Sequence, residues 1–437
     1  MMREVVVYPG VLSGRVRLPG DKSVSQRVAM LGALAEGTSE VRGYLDGEDA
    51  RSTLGAMVAL GARVEGSVED VLRITGVGGV LRKPVGALDL GNSGTGTRLL
   101  AGLLAGAGVE ATLVGDASLS RRPMGRIERP LALMGASLRL TGERGTLPMV
   151  IVGGGLRGIT YEMPMASAQV KSCVLLAGLF AEGETTVVEP RPTRDHTEKL
   201  LEAFGIPVRV EGNRVSVRGF GAMGPRFGGR ALRVPGDFSS AAFWLVAAGA
   251  RAGAWVEMEG VGLNRRRTAL LDVLRRMGAR VEVRVEERVG DPVGCLRVEG
   301  ALLRGTVIGG DEIPNLIDEL PILAVAGALA EGVTEIRDAG ELRVKESDRI
   351  AEMVKHLRAF GVEVEEFEDG MRVWGGARLR TPVGGVLSDG DHRIAMSMAV
   401  LNTFADGPLR LGDVGCVDTS YPGFWSDMVG LGGRVER

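Results

Sequence analysis

The sequence predicts an α/β protein of two lobes, each made of three copies of one unit of roughly 70 residues, and three observations carry that reading. A helix-ending glycine followed by alternating apolar residues recurs at Gly61, Gly135, Gly205, Gly278, Gly361 and Gly432, at intervals of 74, 70, 73, 83 and 71 residues. A second set of turns runs in step with the first, at Gly37, Gly108, Gly183, Gly253, Gly332 and Gly407. Finally, Pro19-Gly20-Asp21-Lys22-Ser23 and Pro235-Gly236-Asp237-Phe238-Ser239 lie 216 residues apart, about three units, and each opens an apolar helix.

Each element has a local cause. Glycine takes the left-handed position that stops a helix, and the period-2 pattern after it, as in Gly278-Ala279-Arg280-Val281, signals a strand. The second set of glycines closes apolar helical runs and opens short strands such as Thr185-Thr186-Val187-Val188. Each unit therefore holds two helices and several strands. Glycine is 67 of 437 residues, so single matches mean little; two phased sets with their flanking patterns define the repeat. Residues 1–20 precede the first Pro-Gly turn and are expected to join 235–437 as the C-terminal lobe, leaving 21–234 as the N-terminal lobe. The crossovers near 19–22 and 234–238 would form a double hinge beside an inter-lobe cleft.

A chain of 437 residues exceeds one ordinary core, and 45% hydrophobic with 25% charged residues excludes disordered and fibrous classes. The formal charge of -2 removes the broad basic field of a nucleic-acid binder, so any anion site must be local. The most apolar stretch, 241–256, is 16 residues long and broken by Arg251, too short for a membrane span. Met1-Met2-Arg3-Glu4 leads straight into Val5-Val6-Val7 without the pattern of a signal or transit segment, so a cytoplasmic location is expected. Cys173, Cys295 and Cys416 contain no CxxC, and His196, His356 and His392 show no metal-ligand spacing, so neither disulfide nor structural metal is expected. The chain uses 47 Arg and only six Lys, which singles out lysines such as Lys22 and Lys345 as positions where a compact ammonium is required.

Counting back 14 residues from each glycine of the second set lands on Ser23, Gly94, Gln169, Ser239, Asp318 and Arg393, equivalent places at the starts of six related helices. Helix starts present unpaired N–H groups and the positive end of the helix dipole, so they bind phosphate and carboxylate without net protein charge. Asp21-Lys22-Ser23-Val24-Ser25-Gln26-Arg27 adds a hydroxyl, an ammonium and a guanidinium one turn on; alone it also reads as an ordinary cap with a solvated charge pair. Gly91-Asn92-Ser93-Gly94-Thr95-Gly96-Thr97-Arg98 resembles a phosphate-cradling loop without the Walker ending, and equally a tight turn. Ser120-Arg121-Arg122-Pro123 reads as a surface charge pair beside a rigid turn. Asp318 is a tuned base or simply a cap. In Arg343-Val344-Lys345-Glu346-Ser347-Asp348-Arg349, the i, i+4 spacing of Lys345 and Arg349 suggests an exposed, ion-paired helix face. Asp389-Gly390-Asp391-His392-Arg393 repeats the pattern of a turn followed by a cation. Together these describe a two-lobed enzyme closing on small anionic substrates.

Those segments, with Ser167-Ala168-Gln169 and Arg194-Asp195-His196-Thr197-Glu198, closely resemble the 5-enolpyruvylshikimate-3-phosphate synthase family, in order and over essentially the whole chain. The resemblance implies two lobes of three βαβαββ repeats in an inverse α/β barrel-like fold, with the active site in the cleft between them. It implies transfer of the enolpyruvyl group of phosphoenolpyruvate to the 5-hydroxyl of shikimate 3-phosphate by addition and elimination, without metal or organic cofactor. Shikimate 3-phosphate would be held by Lys22, Ser23, Arg27, Ser167, Ala168, Gln169, Arg194, Asp318 and Lys345. Phosphoenolpyruvate would be held by Lys22, Gly94, Arg122, Gln169, Arg349 and Arg393. Asp318 is the expected base, and Glu346 or Lys22 the acid for C3. Lobe closure would assemble the site and exclude water. The stretch from Cys416 to Pro422 lacks the lysine that some family members carry there, which leaves one phosphate-side contact open. Gly94 has no Cβ to crowd phosphoenolpyruvate, so sensitivity to glyphosate is expected. A UDP-N-acetylglucosamine enolpyruvyl transferase would carry a reactive cysteine between Gly115 and Arg126, where none stands; a non-catalytic repeat scaffold would not explain cations at the helix starts. A monomer acting on small molecules, without nucleic acid or membrane, is expected.

Overall fold

Glycines stop helices where the spacing says they should, and this sets the architecture. The computed structural model describes residues 3–287 and 291–437; the opening Met1-Met2 lies outside them. All six glycines of the first set adopt φ between 85° and 112°, within two residues of a helix end. In the second set Gly37, Gly108, Gly183, Gly253 and Gly332 are also left-handed, with φ between 69° and 92°. Gly407 is the exception. There side chains make the turn: Thr381 Oγ1 accepts from the Gly407 N–H at 3.0 Å and donates to its carbonyl at 2.8 Å, and Asn402 Nδ2 donates to the same carbonyl at 3.1 Å.

The chain divides into two compact units, Gly20–Val234 and Met1–Pro19 with Pro235–Arg437. The first carries α1 (Lys22–Leu34), α2 (Glu48–Ala59), α3 (Gly94–Ala107), α4 (Gly125–Met134), α5 (Ala168–Gly178) and α6 (His196–Ala203). The second carries α7 (Phe238–Gly249), α8 (Ala269–Met277), α9 (Leu320–Leu329), α10 (Arg349–Ala359), α11 (His392–Asn402) and α12 (Phe424–Gly430). Among the described residues each unit has three four-stranded sheets of one pattern: a parallel pair, then two antiparallel strands. The sheet of Thr160–Glu162, Glu184–Val188, Arg214–Arg218 and Val208–Glu211, with α5 and α6 in its connections, shows the expected βαβαββ order. Two sheets are closed from a distance: Ala231–Arg233 runs parallel to part of Thr38–Arg42, and Gly14–Val16 parallel to part of Trp255–Gly262. Glu4–Val7 pairs antiparallel with Leu409–Gly412.

Each unit has its own core. The odd-numbered helices are apolar on nearly all sides and mostly buried; every residue of α7 is buried. The even-numbered helices are amphipathic, as in α8, which buries Leu270, Leu271, Val273, Leu274 and Met277. Close approach requires small residues. A Cβ on Gly102 of α3 would lie 2.1 Å from the Cys173 carbonyl oxygen of α5, so larger residues there would separate these two helices. No helix among the described residues is long and apolar enough to cross a membrane.

Candidate active site

The six helices opened by the positions singled out in sequence start within two residues of them, and in each unit three starts are bonded side by side. Asp21, Ser93 and Ser167 cap α1, α3 and α5 by accepting from Val24, Gly96 and Val170 N–H. Gln26 of α1 donates to Ser93 Oγ at 2.5 Å, and Gln169 of α5 donates to Thr95 Oγ1 of α3 at 2.9 Å. This places three positive helix ends together in Gly20–Val234.

Cations surround those ends. Lys22 Nζ is 2.8 Å from Asp49 Oδ2, an acid in the first turn of α2. Arg27, 4% exposed, donates to Thr197 Oγ1 at 2.7 Å, Ser172 Oγ at 2.9 Å and the Ser23 carbonyl at 2.9 Å, and so is locked in one pose. Arg122 is buried at 7% exposure and donates to Asn92 Oδ1 at 2.5 Å, so the surface-pair reading is wrong for Arg122. Arg98 of α3 bonds Gln169 Oε1 at 2.7 Å and the Pro123 carbonyl at 3.0 Å. A Cβ on Gly94 would stand 3.0 Å from Arg122 Nη1 and 3.1 Å from Arg98 Nη1. Arg194 follows Thr193, whose N–H and hydroxyl both bond Glu189 Oε1. Glu189 shares the buried Lys171 ammonium with Glu198, at 3.0 and 2.6 Å. Burial pushes the Glu198 carboxyl above its usual range, against the pull of Lys171.

The other unit gathers α7, α9 and α11. Ser239 near the start of α7 donates to Glu319, the residue before α9, and accepts from Arg267 at 2.5 Å. Arg393 of α11 donates to the Asp318 carbonyl at 2.8 Å. Asp318 is not a cap: its carboxylate lies 3.5 Å from Arg349 Nη1 and 3.9 Å from Arg393 Nη2. Arg349, 1% exposed, is ringed by three acids, with Nε 2.7 Å from Asp391, Nη2 2.7 Å from Glu346, and Asp318 beyond. Burial alone would lower its pKa; the carboxylates, led by Asp391, more than reverse this and hold the guanidinium above its ordinary value. Asp391, itself fully buried, also accepts from the Arg393 N–H at 2.9 Å and from Ser347 Oγ at 3.1 Å.

The exposed helix face expected over 343–349 does not exist. Gly340–Val344 is a short 3-10 turn, Asp348 caps α10 by accepting from Ala351 N–H at 3.0 Å, and the helix begins at the buried Arg349. Lys345 stands before the helix, with Nζ 3.2 Å from Glu341 Oε1.

The structure thus brings Lys22, Ser23, Gly94, Arg122, Ser167, Ala168 and Gln169 to the joined starts of α1, α3 and α5, with Arg27 on α1 and Arg194 on the loop before α6. In the other unit it gathers Asp318, Glu346, Arg349 and Arg393, and sets Lys345 beside Glu346 in the chain. Residues 7–428 match the family described as EPSP synthase (3-phosphoshikimate 1-carboxyvinyltransferase). The chain belongs to the EPSP synthase family. It is 51% identical over 423 residues to a 3-phosphoshikimate 1-carboxyvinyltransferase of Alkalilimnicola ehrlichii, covering 95% of this chain and 92% of the relative. It is 48% identical over 427 residues to one from Desulforamulus reducens, covering 96% and 97%. The EPSP synthase of Acinetobacter baumannii superposes with a TM-score of 0.85 at 44% identity, over 100% of both chains. The enolpyruvyl transferase NikO of Streptomyces tendae shares the fold, with a TM-score of 0.80 at 19% identity over 99% and 98%.

Several residues of these clusters went unassigned in sequence: Asp49, Asn92, Arg98, Ser172, Thr197, Glu341 and the carboxylate of Asp391. Arg98 had a usable signal, since it follows Gly94 by four residues on the same helix.

Proposed function

We propose that these two clusters carry out the family's reaction, transfer of the carboxyvinyl group of phosphoenolpyruvate to the 5-hydroxyl of shikimate 3-phosphate with release of phosphate. The activity rests on the family match over residues 7–428 and on relatives at about half identity that bear its name; neither the UDP-sugar reading nor the scaffold reading has such support. The residue roles rest on the clusters themselves.

Lys22, Ser23, Arg27, Ser167, Ala168, Gln169 and Arg194 bind shikimate 3-phosphate, with Asp318 and Lys345 of the other unit. Lys22, Gly94, Arg122 and Gln169 bind phosphoenolpyruvate, with Arg349 and Arg393. The observation that carries these roles is the density of buried cations and capped helix starts in a chain whose net charge is -2. Asp318 takes the proton of the 5-hydroxyl as its oxygen bonds C2 of phosphoenolpyruvate. Glu346 protonates C3: an incoming carboxylate at Arg349 displaces Glu346 from Nη2, and the adjacent negative charge favours its protonated form. Return of that C3 proton and cleavage of the C2–O bond to phosphate then leave the enol ether and free phosphate. Lys22, Arg122, Arg349 and Arg393 neutralise the charge on the phosphate and carboxylate groups.

Every role is filled from one chain, which supports action as a monomer, and water-soluble polyanionic substrates support a cytoplasmic setting. The test is phosphate release with both substrates. It should require shikimate 3-phosphate, and release that proceeds equally without it would overturn the reading.

A further inference from the structure

Away from these residues, one face of α10 meets the turn that precedes α11 in a cluster of unlike ligands. Glu352 and His356 stand at i, i+4 on α10 and so share a face, and Asp389 comes from the turn after Val386–Leu387, where it holds a left-handed φ of 51°. One ligand atom from each lies within 4.8 Å of the other two. His356 is 2% exposed. Its Nε2 has no hydrogen-bond partner although Glu352 Oε2 is only 3.3 Å away. With its proton on Nδ1, the neutral imidazole would offer the Nε2 lone pair to an ion on that side.

The two carboxylates make the same demand. Glu352 and Asp389 lie close enough to share one ammonium, a proximity that two anions keep only with positive charge between them. Lys355 supplies positive charge here: its Nζ lies 2.8 Å from Glu352 Oε2 and 3.0 Å from Asp389 Oδ2. Its side chain is 55% exposed on a flexible stem, whereas His356 is fixed. An ammonium donates hydrogen bonds to the carboxylates, but it leaves the imidazole lone pair unused.

We propose that Glu352, His356 and Asp389 form a binding site for a divalent ion of the zinc class, entered by displacing the Lys355 ammonium. An imidazole with two carboxylates suits Zn²⁺ better than Mg²⁺ or Ca²⁺, which favour all-oxygen sets. Two ligands on a tetrahedral zinc at about 2.1 Å are about 3.4 Å apart, so the cluster must close by roughly an ångström, within reach of the half-exposed Asp389. Solvent on the Asp389 side provides the fourth ligand. The ion would tie α10, whose first residue is Arg349, to the turn leading into Asp391, fastening the two residues of the buried ion pair from their far sides.

The test is calorimetric titration of chelator-treated full-length protein with ZnCl₂. Saturable uptake of one ion per chain is expected, with no uptake of MgCl₂ at the same concentrations. Asp389→Asn, at an exposed position, and His356→Gln should each weaken binding roughly tenfold or more. Lys355→Met, which removes the competing cation, should tighten it several-fold. Absence of saturable zinc uptake, or uptake unchanged in Asp389→Asn, overturns the site; affinity unchanged in Lys355→Met overturns the displacement.

Discussion

Replacing Gly94 by Ala tests the phosphoenolpyruvate assignment with a single carbon. The added Cβ would stand 3.0 Å from Arg122 Nη1 and 3.1 Å from Arg98 Nη1, against an ordinary carbon contact of about 3.5–4.0 Å. Both guanidinium groups must retreat by about half an ångström. Neither can do so freely: Arg122 is held by Asn92 at 2.5 Å, and Arg98 by Gln169 at 2.7 Å and the Pro123 carbonyl at 3.0 Å. A charge-assisted hydrogen bond contributes about 1.5–3 kcal/mol. Losing most of one bond to substrate raises KM for phosphoenolpyruvate roughly 10- to 100-fold, at about 1.4 kcal/mol per tenfold. KM for shikimate 3-phosphate should move much less, because Arg27 and Ser167 lie outside the clash. Ala in the first helical turn is favoured over Gly by up to about 1 kcal/mol, which offsets part of the crowding, so Tm should change little, which separates this effect from misfolding. Glyphosate should inhibit the unaltered chain and inhibit the variant less. Steady-state kinetics with each substrate varied in turn decides the matter. A phosphoenolpyruvate KM within about twofold of the unaltered chain, a change of only ~0.4 kcal/mol, would refute the placement of Gly94 and Arg122 at that substrate.

Three other perturbations have definite expected outcomes. Asp318→Asn should lower kcat by roughly 10²–10⁴ while calorimetric affinity for shikimate 3-phosphate stays within about tenfold; undiminished turnover would remove Asp318 as the base. Asp391→Ala removes the fully buried one of the three acids around Arg349 and leaves its Nε unpaired, a loss of about 3–5 kcal/mol, so scanning calorimetry should show Tm lower by about 6–20 °C, and a drop under about 2 °C would contradict the account. Glu198→Gln should raise thermal stability above neutral pH. Because burial raises the folded pKa of Glu198, this acid favours the folded chain below its ordinary pKa, and that advantage is lost as pH climbs through the raised value. The gain in the variant should therefore shrink as pH falls toward about 4.5, and a gain independent of pH would point to packing instead.

The repeat was legible because glycine leaves a backbone mark that needs no partner: left-handed φ at Gly61 or Gly278 follows from local sterics. Helix starts at Lys22, Gly94 and Ala168 were legible for the same reason, since caps act within four residues. Partners remote in sequence were not. Asp49 is 27 residues from Lys22, and Asp391 is 42 from Arg349; only folding brings either pair together. Spacing misled at Lys345 and Arg349, where i, i+4 has meaning only inside one helix, and the Asp348 cap starts the helix after Lys345. Histidines compared only with one another gave no metal pattern, whereas Glu352 and His356 share a helix face and Asp389 joins them from another element.

The way the chain enters and leaves Gly20–Val234 has a consequence for biosynthesis. Both ends of that segment meet at Gly43: a Cβ on Gly20 would fall 1.9 Å from the Gly43 carbonyl oxygen, and one on Gly43 2.8 Å from that of Val234. In the host unit the cut is bridged by the Asp237 N–H bonded to the Pro19 carbonyl at 2.9 Å. The inserted segment is complete as soon as residue 234 leaves the ribosome, and it can fold at once. Its host must carry Glu4–Val7 as a bare strand edge until Leu409–Gly412 and Val435–Glu436 are made, so a strand made early is among the last to find its place.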